Sequence, residues 1–116
     1  MPKSMPIKTL SVFFPAYNEE DNIATTVSQA IRVLKTLKLS NYEVIVVDDG
    51  SADGTAAVVQ SLAAKNPKIR LIRHEHNRGY GAALKTGFSS AKFDWIAFTD
   101  SDGQFDFREI NKFLTH

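Results

Sequence analysis

The sequence predicts an α/β fold in which a mostly parallel sheet carries helices on both faces. Short apolar runs rich in β-branched residues alternate along the chain with longer segments of helical periodicity. The connections between these segments are short, as expected where each helix returns the chain to a parallel strand. Acidic and polar residues follow the strand ends, which is where open sheets of this kind bind ligands. The predicted architecture is therefore doubly wound, with its chemistry gathered at one edge.

The first part of the chain predicts two strands with one helix between them. Residues 10–14 form an apolar run that Pro15 ends, because proline lacks an N–H and has a fixed φ. Residues 21–37 repeat apolar side chains at helical spacing. Residues 42–47 are β-branched and end in a continuous apolar run, the pattern of a strand covered on both faces. Together they give the first β-α-β unit.

The second part of the chain continues the same alternation. A helix is predicted over 54–64, and Asn66-Pro67 ends it because the residue before a proline avoids the helical region. The remaining predicted elements are a strand at 69–72, a helix at 82–91, a strand at 95–99 and the beginning of a last helix at 107–114.

The composition fits one domain over residues 1–116. Apolar residues make up 43% of the chain, and 14 basic against 13 acidic residues leave a net charge of +1. This balance offers no electrostatic footprint for nucleic acid. The absence of cysteine excludes disulfides and thiolate metal sites and fits a reducing compartment. No apolar run approaches the roughly 18 residues of a membrane span, so we expect a soluble, cytoplasmic chain.

The most informative motif is Asp100-Ser101-Asp102, which follows the last strand and precedes Gly103 and Gln104. In extended backbone, residues two apart project to the same side, so Asp100, Asp102 and Gln104 place three oxygen donors in a row. Oxygen ligands favour Mg²⁺ or Mn²⁺. The alternative is a solvated turn, since Asp, Ser and Gly are ordinary turn residues.

A second acidic cluster follows the strand at 42–47. Asp49 is a candidate for accepting ring N–H groups of a nucleobase, as a polar group in a pocket does. Asp53 is better explained as a cap or turn residue of the following helix. An EF-hand loop beginning at Asp49 is excluded, because its twelfth position would be Gln60 and the preceding segment is a strand.

The segment 77–83 is rich in glycine and alanine but matches neither a dinucleotide fingerprint nor a Walker loop. With Lys85 one turn into the helix, it could face a diphosphate through backbone N–H groups and a point charge. Close helix packing explains the glycines about as well. His74 and His76 are interpreted as surface or packing residues rather than metal ligands.

Four blocks of the chain, 12–20, 46–51, 77–87 and 100–104, follow one another in a specific order. Taken in that order, they resemble glycosyltransferase family 2, especially its dolichyl-phosphate mannosyltransferase and polyprenyl-phosphate hexosyltransferase branch. The resemblance implies a GT-A fold, of which residues 1–116 would be the N-terminal nucleotide-sugar-binding part without the acceptor-binding half.

The resemblance also implies roles for individual residues. Asp100 and Asp102 would be catalytic, and these two with Gln104 would hold the divalent ion. The nucleotide-sugar pocket would be formed by Pro15, Tyr17, Glu19, Val47, Asp49, Asp100, Ser101 and Asp102, with Lys85 added from the loop argument above.

The implied reaction is inverting transfer of a hexose from a GDP- or UDP-sugar to a polyprenyl or dolichyl phosphate, with Mg²⁺ or Mn²⁺ as cofactor. A parent protein associated with the cytoplasmic face of a membrane fits this acceptor. A homo-oligomer is a further partner left open. Two alternatives to this reaction also stay open: a catalytically idle nucleotide-binding or assembly domain, and a sugar nucleotidyltransferase. The second normally carries a glycine-rich Arg-Lys loop after its first strand, which residues 15–20 lack.

Overall fold

The computed structural model describes residues 8–100 and consists of a parallel sheet with helices on both faces. The predicted α/β class and alternation are confirmed for this part of the chain, and the helix predicted at 107–114 lies outside it. The elements are β1 Thr9–Ala16, α1 Ile23–Thr36, β2 Asn41–Asp48, α2 Thr55–Lys65, β3 Ile69–Arg73, α3 Tyr80–Ser90 and β4 Ile96–Phe98.

The strand order is β3-β2-β1-β4, and every pairing is parallel. Val12 of β1 lies opposite Val44 on one side and Ala97 on the other. The chain therefore builds outward from β1 to β3, and α3 then carries it back to the far side of β1. This reversal is a topological switch point, and in open α/β sheets ligands bind in the crevice beyond the strand ends at such a point.

Two apolar layers cover the two faces of the sheet. On one face α1 and α2 pack through side chains such as Val27 and Val59 against alternate strand residues that include Val12 and Val46. On the other face α3 packs through Ala83 on a smaller cluster; the strand residues of this cluster are Phe13, Ile45 and Val47, with Ile72, Ile96 and Phe98 beside them. The near-continuous apolar pattern of β2 follows from this double coverage.

β1 continues through Pro15 to Ala16, two residues beyond the predicted end, and Pro15 lies opposite Val47. Alternate residues of a strand point their N–H groups to opposite neighbours. The N–H of Ser11 and the carbonyl of Phe13 both face β4, so the position where Pro15 lacks a donor also faces β4. That strand ends at Phe98, opposite Phe13. The missing donor thus falls just beyond the last β1–β4 pair, where a proline is tolerated.

A buried carboxylate secures the connection between α3 and β4. Glu43 of β2 accepts hydrogen bonds from the Ser11 hydroxyl (2.6 Å) and the backbone N–H of Lys92 (2.7 Å), and it forms an ion pair with Arg70 at 2.9 Å. Arg70 also donates to the carbonyl of Ser90. Because β4 leads to Asp100, this network helps to position the far end of that strand. Within residues 8–100, no helix is both long and apolar enough to cross a membrane.

Candidate active site

A cavity of about 440 Å³ lies at the carboxyl ends of β1, β2 and β4, beside the first turn of α3. Five residues predicted from the sequence to bind the donor line it together: Pro15, Tyr17, Glu19, Asp49 and Asp100. Tyr17 keeps 48% of its surface exposed at the cavity. The other lining residues are Ala16, Asn77, Gly79, Tyr80 and Ala83.

Asp49 forms a buried polar floor of the cavity and is only 4% exposed. Its Oδ1 accepts hydrogen bonds from His74 Nδ1 (2.7 Å) and the backbone N–H of Arg78 (2.9 Å), and its Oδ2 accepts one from the N–H of Gly79 (2.9 Å). A carboxylate can accept about four hydrogen bonds. Among the described residues, three donors bind it, two at Oδ1 and one at Oδ2, so Oδ2 keeps one acceptor position without a partner.

The surroundings of Asp49 favour its ionised form. Burial alone would raise the pKa of this carboxyl, but the hydrogen bond from His74, the N–H groups of Arg78 and Gly79 and the charge of His74 outweigh that effect and lower the pKa. Asp49 is therefore an acceptor only. A ligand group that meets it has to donate a hydrogen bond.

The His74 side chain is buried, in agreement with the packing interpretation, whereas His76 is exposed. The ring of His74 is buried between the end of β3 and helix α3, where Nε2 lies 2.8 Å from the Thr86 hydroxyl. The backbone N–H of His74 donates to the carbonyl of Asp48. The ring thus joins Asp49 to α3.

A set of reciprocal hydrogen bonds, here called the loop clasp, ties the β1–α1 loop to the β2–α2 loop. Asn18 adopts a left-handed backbone with φ of 54°, and its side-chain oxygen accepts the N–H of Ala52 at 2.9 Å. The clasp fixes the segment that carries Tyr17 and Glu19. In its other bonds, the N–H of Asn18 donates to Ser51 Oγ (2.8 Å) and the N–H of Glu19 to Thr55 Oγ1 (2.9 Å). The N–H of Glu20 donates to the Asp53 carboxylate (3.2 Å), and the N–H of Gly54 donates to the Glu20 carboxylate (3.0 Å).

Asp100 is exposed and faces the cavity at the end of the segment that follows β4. The hydroxyl of Tyr80, in the first turn of α3, donates to its Oδ1 at 3.1 Å. Partial burial raises the pKa of Tyr80, and the negative charge of Asp100 and this hydrogen bond raise it further. The phenol therefore remains a donor toward the carboxylate at neutral pH.

Not every predicted residue lies in the cavity. Val47 is fully buried in the apolar layer beneath it. Lys85 lies two residues beyond Ala83, which is about 200° around the helix, and it lines a separate depression with Arg78 and Thr86. Ser101, Asp102 and Gln104 lie outside the described residues. Within residues 8–100, no three His, Cys, Asp or Glu side chains cluster in a way that could hold a metal ion.

A family model for glycosyl transferase family 2 matches residues 11–116. The chain belongs to glycosyltransferase family 2. Among its family 2 relatives, a dolichyl-phosphate beta-glucosyltransferase from Dictyostelium discoideum is 40% identical over 110 residues, which are 89% of this chain and 33% of that protein. The chain thus spans about a third of the length of the curated relatives it matches.

Solved glycosyltransferase structures share the fold. A mannosyltransferase from Pyrobaculum calidifontis in complex with GDP-Man and Mn²⁺ superposes with a TM-score of 0.66 at 26% identity, covering 86% of this chain and 30% of that one. Glucosyl-3-phosphoglycerate synthase from Mycobacterium tuberculosis, in complex with Mn²⁺, UDP and glucosyl-3-phosphoglycerate, gives 0.62 at 30% identity, covering 81% and 33%. The GT-A fold implied by the family 2 resemblance is confirmed for this part of the chain.

Sequence reasoning missed three residues that shape this family 2 site. Asn18 gave one signal, because Asn is the non-glycine residue that most readily adopts a positive φ after a strand. Tyr80 stood in the glycine-rich segment before position 82, where the helix was predicted to begin, and was assigned no role. His74 gave no local signal, because its partners Asp49 and Thr86 are 25 and 12 residues away in sequence.

Proposed function

We propose that this chain is the donor-binding part of an inverting, metal-dependent hexosyltransferase that uses a nucleotide-diphosphate sugar and a polyprenyl or dolichyl phosphate. The observation that carries the proposal is the cavity at the switch point, where Pro15, Tyr17, Glu19, Asp49 and Asp100 meet from three separate segments. Family 2 membership supports sugar transfer. The name of the Dictyostelium relative supports a lipid-phosphate acceptor and makes glucose the first sugar to test.

The base of the nucleotide is expected to meet Asp49. An acceptor-only carboxylate with room on one oxygen selects a ring edge that presents an N–H. Uracil and guanine carry such an N–H, whereas cytosine and adenine present a lone pair at the corresponding ring nitrogen. Tyr17, half exposed at the same cavity, offers an aromatic face on which a base can stack. This arrangement favours UDP- or GDP-sugars.

The diphosphate is expected to meet the first turn of α3 and Asp100. Gly79 and Tyr80 line the cavity at the start of this 11-residue helix. The N–H of Gly79 is bound to Asp49, and the helix dipole and the N–H groups of the first turn after Gly79 favour an anion. Asp100 supplies an exposed carboxylate of the kind that Mg²⁺ and Mn²⁺ bind, and Tyr80 orients it. A bound divalent ion would neutralise the charge that develops on the leaving nucleoside diphosphate.

The acceptor is expected to need little activation. A lipid phosphate is already an anionic nucleophile, so a carboxylate base is not required for its attack on the anomeric carbon. The described residues accordingly need only bind, orient and hold the donor. Asp102 and Gln104 are the further metal ligands proposed from the family pattern, and residues 1–116 are proposed to form the donor domain of a larger enzyme.

Calorimetric titration of the chain with UDP, GDP and UDP-glucose, each with and without Mn²⁺, tests the donor site. We expect binding that depends on Mn²⁺. Asp100→Asn should weaken the metal-dependent binding at least about tenfold, the equivalent of 1.4 kcal/mol. Asp94→Asn is the matched control, since this exposed residue precedes β4 and lies at the end of that strand away from Asp100. Equal affinities for wild type and Asp100→Asn would contradict the proposal.

Product analysis with the parent protein separates a transferase from an idle nucleotide-binding domain. Labelled donor and a short polyprenyl phosphate should give a lipid-linked sugar of inverted anomeric configuration. Nucleotide binding without any product would support the idle domain.

A further inference from the structure

We infer that His74 is a positioning residue for base selectivity: it fixes the Asp49 carboxylate so that its open acceptor site faces the donor nucleobase. The inference rests on the proposed donor-binding function and extends it to a residue outside the cavity lining. Its basis is the buried chain of contacts Asp49–His74–Thr86, which runs from the floor of the cavity to helix α3.

The ring of His74 can adopt only one orientation that serves both partners. It is 94% buried, with Nδ1 at 2.7 Å from Asp49 Oδ1 and Nε2 at 2.8 Å from Thr86 Oγ1. An ionised carboxylate only accepts hydrogen bonds, so Nδ1 carries a proton whether the ring is neutral or charged. Thr86 holds the other nitrogen, and the backbone N–H of His74 is bound to Asp48 at 2.9 Å.

These contacts decide which oxygen of Asp49 is left for a ligand. His74 and Arg78 both donate to Oδ1, whereas Gly79 alone donates to Oδ2. Without the donor from His74, Oδ1 would also have an open site, and the carboxylate could turn about its last torsion angle, which is broad for Asp. The base would then meet an acceptor of less defined direction.

A purely structural role for His74 makes a different prediction from a positioning role. If the ring only fills space, its loss weakens binding of every nucleotide by the same factor. If it orients Asp49, its loss weakens nucleotides with a ring N–H more than those without one. UDP against CDP, and IDP against ADP, are suitable pairs because each pair differs at the ring nitrogen and its neighbouring exocyclic group.

Two variants separate the two nitrogens of the ring. His74→Asn can keep a side-chain N–H near the position of Nδ1 and loses the contact to Thr86. His74→Gln can reach the position of Nε2 and loses the donor to Asp49. Thr86→Val, which keeps the shape of the side chain, removes only the outer hydrogen bond. Affinities are measured by calorimetry with Mn²⁺, and thermal melting establishes that each variant is folded.

We expect wild type to bind UDP at least tenfold more tightly than CDP, or IDP at least tenfold more tightly than ADP. His74→Gln should reduce this ratio to threefold or less, mainly by weakening the N–H-bearing nucleotide, and His74→Asn should keep at least half of it. Thr86→Val should reduce the ratio to an intermediate value, and it tests the inference if His74→Gln does not fold.

The inference is overturned if a folded His74→Gln keeps the full ratio, either because it weakens both members of a pair equally or because it weakens neither. If His74→Gln does not fold, a folded Thr86→Val that keeps the full ratio overturns it. It is also overturned if His74→Asn loses selectivity as fully as His74→Gln. If wild type binds no nucleotide, the proposed function itself fails, and if it binds without discriminating, only the assignment of Asp49 and His74 to the base fails.

Discussion

Gly87→Ala should destabilise the chain, because α3 approaches β1 too closely at this point for a methyl group. A Cβ built on Gly87 lies 2.3 Å from Phe13 Cδ1 and Cε1 and 2.6 Å from Cζ. To restore a contact of about 3.4 Å, the lower edge of ordinary van der Waals contact, the ring would have to retreat by 3.4 − 2.3, or about 1.1 Å. Phe13 is fully buried, stacked on Phe98 at 5.3 Å and met edge-on by Phe88 at 5.1 Å.

Two effects of this substitution oppose each other. Overpacking a filled core costs about 1–3 kcal/mol, while replacing glycine by alanine inside a helix gains at most about 1 kcal/mol. With a required shift of more than an ångström, we expect the clash to dominate and the net loss of unfolding free energy to be about 1–2 kcal/mol. For a domain of this size, that corresponds to a fall in Tm of roughly 5–10 °C.

Gly81→Ala is the matched control in the same helix. A Cβ at Gly81 meets nothing within 4 Å, and its φ is not positive. This variant should therefore match wild type or melt slightly higher. Urea unfolding of both variants, with comparable m-values, gives the two free energies. If Gly87→Ala were as stable as Gly81→Ala, the close approach of α3 to Phe13 would be wrong.

Two further predictions concern the loops of the site. Asn18→Ala should lower the unfolding free energy by about 2 kcal/mol, because it removes the acceptor of the Ala52 N–H and puts alanine in a left-handed conformation. Asn18→Gly, which tolerates that φ, should lose less. Equal losses of the two variants in urea unfolding would refute the backbone contribution. The pKa of Asp49 lies below its ordinary value of 3.8 in the folded chain, so its contribution to stability is complete above that pH and is lost as the pH falls through the folded pKa. Asp49→Asn should flatten the acid limb of a stability–pH curve measured by urea unfolding, and an unchanged slope below about pH 4 would contradict this assignment.

Sequence patterns predicted most of the fold because the signals are local. Helical and strand periodicity placed every described element within a few residues of its bounds, and parallel alternation placed the strand ends at one edge. The end of β1 was wrong for a reason that is not local: Pro15 is tolerated because its missing N–H faces the side where β4 has ended. The start of α3 was also set too late, since Gly79, with φ of 99°, turns the chain directly into Tyr80.

The glycines of the 77–87 block show the same limit. Close packing was one explanation for Gly79 and Gly81, yet a Cβ at either position meets nothing within 4 Å. Gly79 provides a positive φ, and the close approach occurs one helical turn or more later, at Gly87. Periodicity identifies the helix, but only the tertiary position of Phe13 determines which glycine has to remain one. Lys85 is a similar case, because its separation from the cavity depends on the rotation of α3.

The end of β2 shows why the Asp48-Asp49 pair is more than a turn signal. Successive residues of a strand project to opposite faces, so the two carboxylates secure different loops. Asp48 accepts from the N–H and hydroxyl of Ser51 and thereby closes its own β2–α2 turn. Asp49 reaches across the edge of the sheet to the loop before α3. Capping chemistry accounts for the first carboxylate alone, and the second, though bound by three groups, is the one that lines the cavity. The residue that holds the α3 loop in place is thus also the one we propose to contact the ligand. If it does, binding of the base and the position of α3 would be coupled through a single side chain.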